Sequence, residues 1–139
     1  MDQTTHLDSR YSWARLGVTL LIALVVNAGM WAVIVVMPAV QAEFGIDRAD
    51  ASMPYTFTMF GFALGNLLIG RAVDRFGVAW STVGAALLAM LSYILVAASG
   101  SVLAISGLHF FLGFGTAVGF GPLIADISQW FLRRRGLAV

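Results

Sequence analysis

The chain is predicted to be an all-α membrane protein of four transmembrane helices, and three features of its sequence predict it. Of its 139 residues 60% are apolar and 11% are charged, a balance far outside that of a water-soluble domain. The charges are clustered, with no Asp, Glu, Lys or Arg from Leu16 through Ala42, from Ala51 through Gly70, or from Phe76 through Ala125. Lipid imposes such gaps on any helix that crosses a hydrocarbon core about 30 Å thick. The length of 139 residues supplies four crossings with short loops, at about 20 residues each.

Residues 1–15 read as a polar tail, and the first crossing runs from about Leu16 to Val40. Val40 and Ala42 before Glu43 resemble a small-x-small cleavage site. The apolar run, however, exceeds the roughly 7–15 residues of a secretory signal, and Asp2 and Asp8 lie upstream of it, so the segment reads as a retained helix. The polar stretch Glu43 to Asp50 then interrupts the hydrophobicity, and a second crossing follows from about Ser52 to Ile69, with Pro54 suited to its first turn.

Phe76 to Ala125 is 50 residues without a formal charge. As one helix it would extend about 75 Å, more than twice the hydrocarbon thickness, so it must fold back once. Ala98-Ser99-Gly100-Ser101 near its middle supplies small, turn-forming residues, which puts the third crossing at about Trp80 to Ala97 and the fourth at about Val102 to Ile127.

Composition excludes several functions. The eight basic residues, all Arg, stand against seven acidic ones, and a scattered net charge of +1 is no nucleic-acid footprint. Without cysteine there are neither disulfides nor thiolate metal sites, and no Walker-type loop is present. No enzyme activity, cofactor or metal is expected. If the crossings alternate in direction, Arg10, Arg15, Arg71, Arg75, Arg133, Arg134 and Arg135 fall on one side and Arg48 alone on the other. The positive-inside rule then places the N-terminus in the cytoplasm.

Between the second and third crossings lies Gly70-Arg71-Ala72-Val73-Asp74-Arg75-Phe76-Gly77. Its glycines favour a tight turn and close helix approach, and Asp74 between Arg71 and Arg75 suits an ion-paired latch. This Gly-x-x-x-Asp-Arg-x-Gly pattern resembles the cytoplasmic loop signature of the major facilitator superfamily. The resemblance covers the whole chain and implies the first part of a twelve-helix transporter, with Gly70, Arg71, Asp74, Arg75, Gly77 and Asp126 as its conformational latch. The family pattern usually continues with one or two basic residues, where this chain has Val78, Ala79 and Trp80. The end of the fourth crossing, from Gly121 and Pro122 to the triple arginine, is similar to the monocarboxylate and oxalate/formate branch.

Asp126 is the one acidic residue inside an apolar segment, and pairing with Arg71, Arg75 or Arg133 is its expected role. Asn27 near the middle of the first crossing and Trp31 one turn later share a face. With Thr116 they are the substrate-path candidates, since the resemblance makes the first and fourth helices walls of a central cavity. Asn27 equally suits an interhelical hydrogen bond, and His109 reads as a buried neutral histidine. Gly61 with Gly65, and Gly115 with Gly119, form small-xxx-small faces for helix packing; Gly113 and Gly121 belong to the same glycine-rich helix. Pro122 is expected to bend the fourth crossing.

The resemblance implies secondary active transport of a small solute, such as a monocarboxylate or another organic anion, by alternating access with a coupling proton or ion. It implies a multi-pass protein of the bacterial inner membrane whose partners are lipid and the C-terminal helices of the same transporter. The chain ends before a fifth helix, and a truncated, inactive fragment is the expectation. The competing readings are a small four-helix multidrug efflux protein acting as a dimer, which should carry a carboxylate in its first helix, and a non-transporting membrane scaffold.

Overall fold

The computed structural model describes residues 7–138 of the chain, without the side chain of Arg135. The described residues are helical with short turns. Helix α1 spans Arg10–Phe44, α2 is the single turn Arg48–Ala51, and α3 spans Met53–Ala97. Then come α4 (Val102–Thr116), a 3-10 turn (Ala117–Gly119), α5 (Gly121–Ser128) and α6 (Arg135–Ala138).

Three stretches are long and apolar enough to cross a membrane, namely Arg10–Phe44, Arg48–Ala97 and Val102–Ser128. The second makes two crossings, because Gly77 leaves helical geometry at φ 81° and ψ 163°. Ile69 and Ala85, on either side of it, belong to one cluster with Val118. Along an unbroken helix they would stand about 24 Å apart, so the chain doubles back at Gly77.

Each crossing helix extends beyond its expected limits. Residues 10–15 continue α1 downward, with the Ser9 side chain capping the first turn by accepting the Ser12 N–H at 3.3 Å. At the other end Gly45, at φ 61°, closes α1 by donating its N–H to the Gln41 carbonyl. The second and third crossings occupy 53–76 and 78–97, against the expected 52–69 and 80–97. Hydropathy marks where lipid begins, whereas the backbone hydrogen-bond ladder continues past that border.

The fourth crossing is broken where a continuous helix with a bend was expected. Pro122 has no N–H and its ring clashes with the carbonyl four residues earlier, at Val118. The tighter turn at Ala117–Gly119 and the departure of Phe120 (φ −107°, ψ −97°) absorb that conflict upstream, and Pro122 sits in the first turn of α5.

Helix four, α4 with α5, is the centre of the bundle: 56% of its most apolar stretch is buried, against 11% in each of the other two spans. Leu16 packs with Ile127, and Val26 lies against Gly119, so α1 runs antiparallel to it. Thr58 meets Gly113 and Ile69 meets Val118, so the second crossing runs parallel to it. The crossings therefore alternate, which gathers the arginine-bearing ends on one side. Four hydroxyl groups inside the spans are satisfied within their own helix. Thr58, Thr82, Ser92 and Ser106 each donate at 2.8 Å to the carbonyl four residues earlier, as suits a solvent with no competing water.

Candidate functional site at the arginine-rich end

The loop motif is built around one residue that only glycine can fill. The φ and ψ of Gly77 lie in a region essentially closed to side-chain-bearing residues. Gly70 differs, being helical with open space where a Cβ would stand. The turn thus needs one of the two motif glycines. Between them Asp74 is exposed, and among the described residues it forms no ion pair with Arg71 or Arg75. The Arg75 guanidinium lies 5.5 Å from the centre of the Phe76 ring.

Asp74 and Asp126 line the same groove of about 470 Å³ between the second crossing and α5, together with Asn66 and Gln129. The motif and the end of helix four therefore form one polar surface. The partner of Asp126 differs from expectation. In place of Arg71, Arg75 or Arg133, Arg15 donates to it through Nε at 3.1 Å and Nη2 at 2.9 Å, a two-pronged pair. The Arg15 guanidinium also lies 4.6 Å above the Trp130 ring.

Arg15 belongs to a clasp that joins residues 8–16 to residues 126–134. The Asp8 N–H donates to the Trp130 carbonyl at 3.1 Å, and its carboxylate accepts the backbone N–H groups of Leu132 at 3.2 Å and Arg133 at 3.0 Å. These donors, Arg133 foremost, hold the Asp8 carboxyl below its ordinary value of 3.8. Asp8 takes the left-handed φ of 55° that short polar side chains tolerate. Tyr11 packs on Trp130 at 5.5 Å between ring centres, Trp13 packs edge-on to Phe131 at 5.1 Å, and Leu16, Ile127 and Phe131 form a buried core beneath them. Sequence reasoning missed this clasp. The available signal was depth, because Arg15 and Asp126 stand at matching ends of two antiparallel crossings.

The three substrate-path candidates are not gathered in one place. Asn27 is half-buried, donates to the Ala23 carbonyl at 2.8 Å and lines a groove of about 250 Å³ with Gly119 and Phe120. Thr116 is buried, donates to the Gly113 carbonyl at 2.8 Å and faces a different cavity of about 230 Å³, lined by Val26, Gly29 and Tyr93. Trp31 stands with its ring 6.4 Å from that of Tyr55 on the second crossing. His109 is buried, and its Nδ1–H donates to the Ile105 carbonyl at 2.9 Å.

The glycines place the backbones in contact. A methyl group at Gly61 would overlap the Phe110 carbonyl, and one at Gly113 would overlap the Thr58 carbonyl. At Gly65 and Gly119 it would come within 2.7 Å of Ala117 and Val26 respectively. Gly121 has no such neighbour within 4 Å.

With this architecture in place, similarity to known proteins assigns the class. The family profile of the Major Facilitator Superfamily matches residues 19–139. The chain belongs to that superfamily and is an integral, multi-pass membrane protein. It is 30% identical over 109 residues to a Bacillus subtilis (strain 168) protein, the uncharacterized transporter YybO, covering 77% of this chain and 25% of that protein. The chain thus spans about a quarter of the length of this relative. No solved structure matches it.

Proposed function

We propose that the chain supplies the first four helices of a secondary transporter that moves a small solute, of the organic-anion class exemplified by monocarboxylates, by alternating access with a coupling proton or ion. Membership of the superfamily supports transport, and one observation supports this place within the mechanism. Asp74 is exposed on a polar groove beside a hairpin that only glycine permits, so its carboxylate is available to a helix outside the four described. In this reading Gly70, Arg71, Asp74, Arg75, Gly77 and Asp126 hold one face of the transporter closed, from the cytoplasmic side. Arg15 positions Asp126 through its two-pronged pair. Asn27 and Trp31 are the solute-path positions on the first crossing, and Thr116, which faces a separate cavity, is the one on the fourth.

The four helices alone carry no complete path, since alternating access is a rocking of two packed bundles about a site between them. Uptake of a panel of small carboxylates into liposomes under a proton gradient tests the reading, with the 139-residue chain compared with the full-length Bacillus subtilis relative. The expected result is saturable uptake by the relative and silence from the chain. Asp74→Asn, in a full-length transporter that carries this chain as its first four helices, should cut uptake at least about tenfold with insertion intact, if the latch contributes as much as one charge-assisted hydrogen bond. Gradient-driven uptake by the chain alone would contradict the proposal.

A further inference from the structure

A second groove, of about 550 Å³, opens between the second and third crossings on either side of Gly77, with helix four at its floor. Its lining is apolar, from Ile69, Ala72, Phe76, Trp80, Leu88 and Phe114. Side chains of the chain itself do not fill it: Phe76 is 59% and Trp80 74% exposed at its mouth. A positive charge stands beside the mouth. The Arg75 guanidinium rests over the Phe76 ring, and Arg71, one turn earlier on the same helical face, is also exposed. Trp80, just past the hairpin, is the kind of side chain that settles at headgroup level. Ser81 lines the groove as well, and its hydroxyl oxygen is buried with no hydrogen-bond partner among the described residues.

An apolar slot with a basic rim and an unspent hydroxyl between them matches an amphiphile with an anionic head, ester oxygens and a hydrocarbon tail. We propose that this groove binds an anionic phospholipid. Its acyl chain lies along Ile69, Leu88 and Phe114, its headgroup phosphate meets Arg71 and Arg75, and an ester carbonyl accepts from Ser81. The polar groove holding Asp74 and Asp126 is lined by carboxylates and would repel the same headgroup, so the two sides of the hairpin differ in what they attract. This lipid site stands independently of which solute is carried.

The test is native mass spectrometry of the 139-residue chain in non-ionic detergent, titrated with phosphatidylglycerol or phosphatidylcholine of identical acyl chains. About fivefold preference for each arginine near the headgroup is expected, hence at least about fivefold and up to about 25-fold in favour of phosphatidylglycerol. Arg75→Gln and Arg71→Gln should each reduce that preference about fivefold while leaving phosphatidylcholine binding within twofold, which also reports that the variant is folded. Gly84→Leu places a side chain in the groove where a Cβ meets nothing within 4 Å, and should weaken both lipids alike. Equal binding of the two lipids by the unaltered chain would overturn the proposal. So would a preference that survives loss of both arginines, or phosphatidylglycerol binding untouched by Gly84→Leu. A lipid-free dimer that persists when phosphatidylglycerol is added would instead assign the groove to a second copy.

Discussion

Helix four meets two of its neighbours by opposite means. Against the second crossing it presents Gly113 to the Thr58 carbonyl and receives Gly61 at the Phe110 carbonyl, so backbone touches backbone. Against α1 the strongest contacts lie at one end, where the Arg15–Asp126 pair, the Asp8 hydrogen bonds and two aromatic contacts close the clasp. In lipid there is no hydrophobic gain from bringing two apolar helices together, so close van der Waals packing and polar contacts are the available means. The glycine seam uses the first and is sensitive to volume. The clasp uses the second and is sensitive to charge and to pH.

The largest effect should come from volume in the seam. Gly61→Leu, which drives a side chain into the Phe110 backbone, is expected to cost more than about 3 kcal/mol in detergent unfolding titrations. Gly84→Leu, on a glycine with open space, should cost far less. Equal losses would mean that the seam is no tighter than the lipid-facing surface.

The hairpin that delivers the second crossing to that seam should be next. Gly77→Ala forces a side chain into φ 81°, ψ 163°, at about 1–3 kcal/mol. Gly70→Ala should be neutral or stabilising by up to about 1 kcal/mol, because that glycine is helical and uncrowded. The two motif glycines thereby become separable by unfolding titration, and a reversed order would move the turn.

The clasp should respond more mildly, since Arg15 and Asp126 retain 33% and 18% side-chain exposure. Arg15→Gln is expected to cost about 1–2 kcal/mol, by leaving the carboxylate without its cation. Arg15→Gln with Asp126→Asn together should cost less than the sum of the two single changes. Strict additivity would deny the pair.

The smallest effect is that of Asp8. Its folded carboxyl titrates below the ordinary 3.8, so its contribution is present above that value and is lost as pH falls through the lower, folded one. The clasp should therefore persist at pH 5 and loosen in stronger acid, read as a change in tryptophan emission from Trp13 and Trp130. Asp8→Asn should diminish that acid transition.

The legible parts of the fold were those that lipid dictates. Gaps between charges located the four crossings, because an unpaired arginine or carboxylate in hydrocarbon is costly wherever it stands. Glycine pairs were legible for a similar reason, since Gly61 and Gly65 have no function in a helix other than close approach. Pro122 announced a bend, whereas the helix is broken at Ala117–Phe120, in the turn whose Val118 carbonyl the ring would otherwise strike. What stayed illegible depends on how the helices are turned about their axes. Asn27 and Thr116 look equivalent in a hydropathy reading, yet they face different cavities. Arg15 reads as one more membrane-flanking arginine until packing brings it to Asp126.

Alternation of the four crossings, with the arginine-rich ends gathered on one side that we propose is the inner one, underlies the hairpin, the clasp and the proposed latch alike. The chain has no native cysteine, so single cysteines report it directly. Asp47→Cys, in the loop after α1, and Asp74→Cys, beside the hairpin, should be treated in intact cells with a membrane-impermeant thiol reagent. The expected result is labelling of Asp47→Cys alone, with Asp74→Cys reacting only after the membrane is opened. Labelling of Asp74→Cys from outside while Asp47→Cys is spared would contradict it.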